Sequence, residues 1–526
     1  MRPSEASEAR VSRTIAVAGS ILGVLAMSLV ASVPASPLTP LQPPGSATTG
    51  PFAAAARVVG LDRFTGNAAA AAGVVAVLLA VLTFLYALRA AWRGELPLRW
   101  VLALGIAFHV VVVFLPLLLS RDVYSYAFYG RISSLHGANP YVSTPVDFRS
   151  DQLFPLIGPQ WRATPDVYGP LFTLLAVGLT KAFDRIGELI TAYQVIAAAA
   201  GIALMLIVAK VAEELRPRRA AFAVALIGLN PVVLFYTVAS GHNDMLVALA
   251  IGAGFALLVA RRGLWSTAAL TLGALVKASA VIPLLLLIVV AVARAGPGRR
   301  TRTLLSHVAV AGGISLVCAL PFLQTQDPTL GLTELAGHEG WLAPTRFFRA
   351  ALGKLADVVA GSTASDAVEV VVRVVFALVL VALLVWIARS LWARAGSISV
   401  EEQGAAWGWA LLLLTLLGPV LLPWYVTWIF PVAWLLPRVP RIALVVTSVA
   451  LTISLVNAEP LRSKTVYDAT LLFGHYVVTP VLFVFLVWVV VDLRRRLRNG
   501  LPFADLPEES VAAPPPEGVT AGRDDG

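Results

Sequence analysis

The chain has 526 residues, of which 58% are hydrophobic and only 13% are charged. Its mean hydropathy is +0.82, and apolar runs near the roughly 20 residues that a helix needs to cross a bilayer recur from end to end. This composition excludes a string of soluble domains and predicts an all-α polytopic membrane protein. The net charge of +10 comes mainly from arginines in short loops between apolar runs, which is a signal of membrane orientation and does not indicate nucleic-acid binding.

Cysteine and histidine usage gives no sign of a bound cofactor. Cys318 is the single cysteine and lies inside an apolar run. An intrachain disulfide is impossible because it needs two cysteines. No group of Cys and His residues has the spacing of a metal site. We therefore expect no cofactor, and the sequence leaves metal dependence open.

The N-terminal part predicts a short cytoplasmic segment, a first span and an outer loop. Residues 1–13 are polar and basic. The apolar run 14–33 is long enough to remain as an anchor, although the small residues at its end also fit a cleaved signal peptide. Residues 34–66 are rich in Pro, Gly, Ser and Ala, which predicts a partly disordered outer loop. Two more runs, 68–88 and 100–120, follow.

The basic loops predict the orientation of the remaining spans. The positive-inside rule places the arginine-rich segments in the cytoplasm. Those segments are 89–99, 216–219, 261–262, 294–302, 389–394, 438–441 and 494–498. The loops that carry acids and tryptophans, including 321–366, are then outside.

The apolar stretch 171–183 conflicts with this orientation, because a full crossing there would put Arg216 outside. If that stretch is re-entrant or interfacial, about 14 spans result and both termini are cytoplasmic. The membrane domain then covers residues 14–498. Residues 499–526, which are rich in Pro, Glu and Asp, are predicted to form a disordered cytoplasmic tail.

The outer loop 121–170 is the chemically richest part of the chain. A helix over residues 122–136 places Asp122, Tyr126 and Tyr129 on one face and predicts an interfacial helix with a polar side. A carboxylate beside aromatic rings at the end of a span suits a general base. The alternatives are that Asp122 caps the helix and that Arg121 reaches toward the membrane interface.

A second polar stretch, Ser240 to Asp244, is expected on the same side of the membrane. Its His242, Asn243 and Asp244 offer donors and acceptors that fit sugar hydroxyls. The alternative is simple capping of the helix that continues from Met245.

Lys277 is isolated in a long apolar region, between two short apolar pieces within 264–294 that predict a tight helical hairpin. A buried ammonium needs an anion or a water-filled cavity, and a lipid-linked phosphate is one candidate. Reaching toward the membrane surface is the alternative.

The stretch Pro423 to Trp428 closes another outer hairpin. Trp424 and Tyr425 fit a stacking wall for a sugar or an isoprenoid chain, while an interfacial aromatic belt is the alternative. His338, Glu339 and Trp341, in the loop 321–366, are weaker candidates for an acceptor edge.

The chain has no P-loop and no dinucleotide-binding motif, so any sugar donor has to come from within the membrane.

Several of these stretches together resemble one known family, the polyprenyl-phosphate-mannose-dependent α-1,6-mannosyltransferases of actinobacteria, in the GT-C glycosyltransferase superfamily. The resemblance covers roughly residues 100–498. The motifs that carry it are Asp122-Val123-Tyr124-Ser125-Tyr126, Gly137-Ala138-Asn139-Pro140-Tyr141, Tyr168-Gly169-Pro170, Asn230-Pro231, Gly241-His242-Asn243-Asp244 and Pro423-Trp424-Tyr425.

The resemblance implies inverting transfer of mannose on the outer face of the plasma membrane. The donor would be a β-linked polyprenyl phosphate mannose and the acceptor a lipid-anchored mannan of the lipomannan and lipoarabinomannan type. It implies that Asp122 is the base, and it implies substrate-binding roles for Arg121, Tyr124, Tyr126, Arg131, Tyr168, His242, Asn243, Asp244, Lys277, Trp424 and Tyr425. Arg121, Arg131 and Lys277 would neutralise the leaving phosphate.

One departure from the superfamily concerns metal binding. Many members have two adjacent acids in this loop, whereas Asp122 is flanked by Arg121 and Val123. This weakens the argument for a bound metal and leaves one candidate base.

Two other functions stay open at the level of sequence. An arabinofuranosyltransferase that uses decaprenyl-phosphate arabinose would differ only in its donor pocket. A flippase or transporter of lipid-linked sugars would need polar residues at mid-membrane depth and internal repeats. Most charges of this chain lie at the ends of apolar runs, with Lys277 as the main exception.

Overall fold

A computed structural model describes residues 3–43, 50–323, 342–455 and 464–505. Helices account for 78% of the described residues, which form no strand. The helices are α1 Pro3–Ala31, α2 Pro51–Val58, α3 Gly66–Trp92, α4 Leu98–Val112, α5 Asp122–Ser134, α6 Pro170–Ala182, α7 Ile186–Leu215, α8 Ala220–Gly228, α9 Asp244–Val259, α10 Gly263–Ala274, α11 Val281–Arg294, α12 Arg300–Ala319, α13 Pro344–Ala360, α14 Ser362–Ala393, α15 Val400–Leu417, α16 Phe430–Ala433, α17 Arg438–Ile453, α18 Lys464–Phe473 and α19 Thr479–Arg498.

The long apolar helices are those of a polytopic membrane protein. Six segments of the described chain have the length and composition to cross a bilayer, or up to seven if the bent pair of α8 and the π-helical Val232–Val238 counts as one span. The six are Ser7–Ala31, Gly66–Trp92, Ile186–Leu215, Pro297–Phe322, Ser362–Ala393 and Lys464–Arg498. Shorter apolar helices such as α4, α9 and α11 add to the bundle. The total of about 14 spans stays a prediction.

Helix α6 occupies the stretch that conflicted with the predicted orientation. It has 13 residues, so at about 1.5 Å per residue it is roughly 20 Å long, short of the ~30 Å hydrocarbon core. It packs against α5, where a Cβ on Gly130 would come within 2.5 Å of the Ala176 carbonyl oxygen. Helix α6 is only one residue shorter than α11, so the re-entrant or interfacial interpretation stays a prediction.

The arginine-rich segments gather at one end of the bundle. Arg216 donates to Glu401 Oε1 at 2.6 Å and also to the carbonyl of Asp505. Arg441 lies 3.2 Å from Asp505 Oδ2, and Arg294 hydrogen-bonds to two carbonyls in the loop between α14 and α15. Arg216 is therefore at the same end as Arg294 and Arg441, as the predicted orientation requires.

Three helices connect this basic end with the opposite end of the bundle. Helix α9 runs from Asp244 towards Arg261, α11 runs from the segment after Lys277 to Arg294, and α15 runs back from Glu401. Their lengths of 14 to 18 residues correspond to roughly 21–27 Å. The polar stretches singled out in the sequence lie at the far ends of these helices.

Two local expectations are wrong. Helix α5 does not present a polar side, because residues 123–130 are all buried between neighbouring elements. The tail is not disordered at its start: Phe503 is buried, its carbonyl accepts from Trp409 Nε1 at 3.1 Å, and Asp505 makes the contacts described above. Residues 506–526, and His338, Glu339 and Trp341, lie outside the described residues.

Candidate active site

A cleft of about 290 Å³ opens at the end of the bundle opposite the arginines. It brings together residues from four separate parts of the chain. Its walls are formed by Asp122, Trp161, Val167, Tyr168, Lys277, Ala278, Ser279, Ile282, Leu414, Gly418, Pro419, Val420, Leu422, Trp424, Tyr425 and Trp428. One carboxylate and one ammonium thus face a largely aromatic and aliphatic cavity.

Asp122 reaches the cleft from the first residue of α5. The preceding turn contains Leu119 with φ 55°, a left-handed conformation that costs energy for a branched side chain and is held by a hydrogen bond from its N–H to the Leu38 carbonyl at 2.9 Å. Ser120 Oγ accepts from the Asp122 N–H at 3.1 Å. The helix N-cap is Arg121, and within the described chain the Asp122 carboxylate makes no capping hydrogen bond.

The surroundings of Asp122 tune its carboxyl toward general-base chemistry. Its side chain is only 17% exposed. Burial raises its pKa from 3.8 to about 6, because a charged carboxylate is poorly solvated there, while Lys277 and the Ser120 hydroxyl limit the rise. At neutral pH the group is ionised and still basic enough to accept a proton.

His242 lies between Asp122 and Trp424. Its ring stacks on Trp424 with 3.7 Å between centroids and 21° between planes. Its Nδ1 is 3.0 Å from the Tyr126 hydroxyl and 3.8 Å from Asp122 Oδ2. The preceding Gly241 has φ +63° and lies so close to Val123 that a Cβ would approach it to 2.8 Å, so glycine is needed for this juxtaposition.

Lys277 finds its anion inside the protein. Its Nζ lies 2.9 Å from Asp244 Oδ1, and the same oxygen accepts from Trp428 Nε1 at 2.7 Å. The ammonium also lies 4.4 Å from the centroid of the Tyr425 ring and 5.8 Å from that of Tyr168. A desolvated cation is stabilised by both the carboxylate and the ring faces, and it remains at the cleft wall.

The Tyr168-Gly169-Pro170 motif fixes one wall of the cleft by a close backbone approach. The Gly169 N–H donates to the Val276 carbonyl at 3.1 Å, and a Cβ on Gly169 would lie 2.2 Å from the Leu275 carbonyl oxygen. Only glycine allows this contact. It holds Tyr168 next to Lys277.

Asp166 supports the same motif from behind. Its carboxylate accepts from the Tyr168 N–H at 3.0 Å and from the Thr173 hydroxyl at 2.8 Å. Burial raises its pKa to about 7 despite these hydrogen bonds. Tyr141, from the Asn139-Pro140-Tyr141 turn, donates to the Tyr168 carbonyl at 2.8 Å. Asp166 therefore positions Tyr168 and does not line the cleft.

Several predicted site residues lie away from the cleft. Arg131 Nε lies 2.9 Å from Asp151 Oδ2, which also binds His136 at 2.9 Å. The pKa of Asp151 is lowered: burial alone would raise it, but hydrogen bonds from the Leu153 N–H, Arg131 and His136 outweigh that effect. Arg131 is therefore committed to a loop carboxylate.

Tyr124 and Asn243 are buried outside the cleft, and the Tyr124 hydroxyl donates to the Leu41 carbonyl at 2.9 Å. Tyr126 lies behind His242, and the half-buried Arg121 precedes Asp122 without lining the cavity.

Trp428 and Trp161 were not predicted as site residues from the sequence, nor was the aliphatic wall formed by Ile282, Leu414, Val420 and Leu422. The signal for Trp428 was present, since it follows Trp424 by four residues in one aromatic cluster. The aliphatic residues carry no signal in so hydrophobic a chain. Across the described ranges, no three His, Cys, Asp or Glu residues are grouped as metal ligands would be.

Two residues of the cleft wall, Trp424 and Ser279, and two residues behind it have unpaired polar atoms. Within the described chain, His242 Nε2, Asp244 Oδ2, Trp424 Nε1 and Ser279 Oγ are buried without a hydrogen-bond partner. Buried polar groups are normally satisfied, so an unsatisfied cluster beside a cavity indicates a polar ligand. A carboxylate, an ammonium and free donors around an apolar cavity suit an amphipathic substrate with hydroxyls and an anionic group.

The fold and the cleft define a helical integral membrane protein with a carboxylate-bearing, aromatic-walled site. A family model for the N-terminal domain of alpha-(1->6)-mannopyranosyltransferases matches residues 13–294, and a model described as the MptB C-terminal domain matches residues 349–488. The chain belongs to the alpha-(1->6)-mannopyranosyltransferase family, a family of glycosyltransferases.

Two curated relatives agree with this membership. Alpha-(1->6)-mannopyranosyltransferase A of Mycobacterium tuberculosis is 29% identical over 341 residues, which cover 61% of this chain and 63% of the relative. A probable alpha-(1->6)-mannopyranosyltransferase of Mycolicibacterium smegmatis is 31% identical over 156 residues, 28% of this chain and 27% of that protein. The chain thus spans less than two thirds of the length of these relatives. No solved structure matches it.

Proposed function

We propose that the protein is a GT-C type mannosyltransferase that takes mannose from a polyprenyl phosphate mannose and adds it in α-1,6 linkage, with inversion, to a lipid-anchored mannan. The product would belong to glycans of the lipomannan and lipoarabinomannan type. The observation that carries this proposal is that Asp122 and Lys277 line the same aromatic cleft. A general base and a cation are the two charges that such a transfer requires.

Asp122 is the base in the proposed reaction. Its carboxylate accepts the proton of the acceptor hydroxyl as that oxygen attacks the anomeric carbon. The bond from the anomeric carbon to the phosphate oxygen breaks on the opposite side, which inverts the configuration. The raised pKa of Asp122, about 6, supports this role, since a base with a pKa nearer to neutrality accepts a proton more readily.

Lys277 stabilises the leaving polyprenyl phosphate, on which negative charge develops. Its Nζ lies in a partly desolvated position, with the Lys277 side chain only 9% exposed, where an electrostatic interaction is stronger than in water. The Asp244 carboxylate and the Trp428 indole hold the ammonium in place.

The sugar and the lipid fit different walls of the cleft. The Trp424 and Tyr425 rings offer flat faces for a sugar. Trp424 Nε1 and Ser279 Oγ, which have no hydrogen-bond partner among the described residues, are suited to sugar hydroxyls. The aliphatic wall around Ile282 and Leu422 fits the first isoprene units. The absence of a nucleotide-binding motif in the sequence also favours a lipid-linked donor.

We place the cleft on the outer face of the plasma membrane and both termini in the cytoplasm. This proposal rests on the separation of the cleft from the arginine-rich end of the bundle by α9, α11 and α15. Positive charge collects on the cytoplasmic side, so the opposite end faces outward.

The test is transfer of labelled sugar by membranes that contain the full chain. Polyprenyl phosphate mannose and decaprenyl-phosphate arabinose are compared as donors with a short α-1,6-mannoside acceptor, and linkage and anomeric configuration are read from the product. The proposal expects α-1,6 transfer from the mannose donor. Transfer only from the arabinose donor would replace the sugar assignment, and movement of labelled lipid across vesicles without transfer would favour a flippase.

A further inference from the structure

A second cavity, of about 400 Å³, opens at the arginine-rich end of the bundle, far from the cleft. It lies between α3 and α17, with Phe222 of α8 behind it. Its lining is Leu85, Leu88, Arg89, Trp92, Phe222, Arg438, Arg441, Ile442, Val445 and Val446. It combines three arginines with apolar walls, and nothing in the proposed transfer uses it.

We propose that this groove binds an anionic membrane phospholipid, whose phosphate head group lies between Arg89 and Arg438 and whose acyl chain follows the apolar wall. Basic grooves between helices at a membrane surface have this combination of chemistry. The proposal is independent of the sugar-transfer reaction.

The protein balances only part of the positive charge around the groove. Arg216 pairs with Glu401 and Arg441 pairs with Asp505. Arg89 and Arg438 are exposed, and neither forms an ion pair with any described residue. Arg89 and Arg438 therefore have no counter-charge among the described residues, and an anion that comes close to both would stabilise these like charges.

Trp92 brings two of the neighbouring arginines together. The guanidinium carbon of Arg219 lies 3.2 Å from the centroid of the Trp92 ring and that of Arg441 lies 4.2 Å from it. These contacts hold two cations at the back of the groove and leave Arg89 and Arg438 to face outward. The positive charge at the opening is therefore carried by Arg89 and Arg438.

The helical spacing matches the shape of a lipid. On α3, Leu85 lies one turn before Arg89, and on α17, Ile442 and Val446 lie one and two turns after Arg438. Each turn advances about 5.4 Å. Both helices therefore pass from arginine at the end of the bundle to aliphatic side chains deeper in the membrane, as a lipid passes from head group to chain.

The experiment measures binding of phosphatidylglycerol, with phosphatidylcholine as the neutral reference, to the purified full-length protein by native mass spectrometry and by the thermal midpoint in detergent. We expect preferential binding of phosphatidylglycerol. The double variant Arg89→Gln/Arg438→Gln should lower its affinity by about tenfold or more, because each arginine near an anionic lipid contributes substantially. Arg89→Lys/Arg438→Lys should keep most of the preference.

The matched control is Arg299→Gln/Arg302→Gln, which removes the same charge from exposed arginines near the start of α12, outside the groove. It should bind phosphatidylglycerol as the wild type does. Inorganic phosphate at millimolar concentration should neither raise the thermal midpoint nor displace the lipid. Equal binding by the two glutamine variants, equal binding of the two lipids, or full displacement by inorganic phosphate would overturn the proposal.

Discussion

Lys277 Nζ lies 2.9 Å from Asp244 Oδ1, and this buried ion pair joins the start of α9 to the hairpin between α10 and α11. The Asp244 side chain is fully buried, so neither charge is solvated by bulk water to any large extent. The pair thus stabilises the wall of the cleft and holds an ammonium close to the substrate. These two contributions are separable by mutation.

Lys277→Met should leave the Asp244 carboxylate buried and unpaired. We expect the free energy of unfolding to fall by about 3 kcal/mol, the usual consequence of removing one partner of a buried pair. Lys277→Met/Asp244→Asn should recover most of the thermal midpoint in detergent and still be inactive in mannose transfer. A single variant as stable as the wild type would contradict the pairing, and an active double variant would remove Lys277 from the reaction.

Trp428→Phe should lower transfer without removing the aromatic wall. The change deletes the indole N–H that donates to Asp244 Oδ1 at 2.7 Å, and we expect a loss of roughly tenfold in kcat/KM because hydrogen bonds to charged groups are strong. The matched control is Trp409→Phe, which deletes a buried indole N–H that donates to the Phe503 carbonyl at the other end of the bundle. Equal transfer activity in the two variants would show that the hydrogen bond from Trp428 to Asp244 does not contribute to the reaction.

Gly169→Ala tests the close approach of two backbone segments. The new Cβ would lie 2.2 Å from the Leu275 oxygen and push Tyr168 away from Lys277, so we expect at least a tenfold loss of transfer and a stability loss of about 2 kcal/mol. Gly178→Ala, in α6, meets no atom within 4 Å and should be neutral or slightly stabilising. Full activity of Gly169→Ala would be inconsistent with this packing.

The pH dependence of transfer reports on Asp122. Its pKa is raised by burial to about 6, and only the ionised form is a base. The value of kcat/KM should therefore fall about tenfold per pH unit well below pH 6. A profile that stays flat down to pH 5 would argue against a base with this pKa.

The same shift has a consequence for stability. The folded protein binds the Asp122 proton more tightly than the unfolded chain, whose carboxyl has a pKa near 3.8. The group therefore costs stability progressively as pH rises from about 4 to about 6. Asp122→Asn lacks this cost, so its thermal midpoint above pH 6 should equal or exceed that of the wild type. A markedly less stable variant would indicate a structural role.

The sequence predicted the cleft best where polar residues interrupt apolar runs. Asp122, Asp244 and Lys277 were recognisable because charge inside a membrane protein is costly. Arg131 was misplaced because its partner Asp151, 20 positions later, becomes its neighbour only through the fold of the loop. The burial of α5 on all sides, and the docking of Phe503, depend on helices distant in the chain and leave no local pattern.

The most direct test of the role of Asp122 compares Asp122→Asn with Asp166→Asn in mannose transfer from polyprenyl phosphate mannose, with folding verified in both. Both carboxylates are in the loop 121–170 and have raised pKa values, but only Asp122 lines the cleft. We expect at least a 100-fold loss for Asp122→Asn, because a general base is removed, and substantial activity for Asp166→Asn. Near-normal transfer by folded Asp122→Asn would show that Asp122 is not the base.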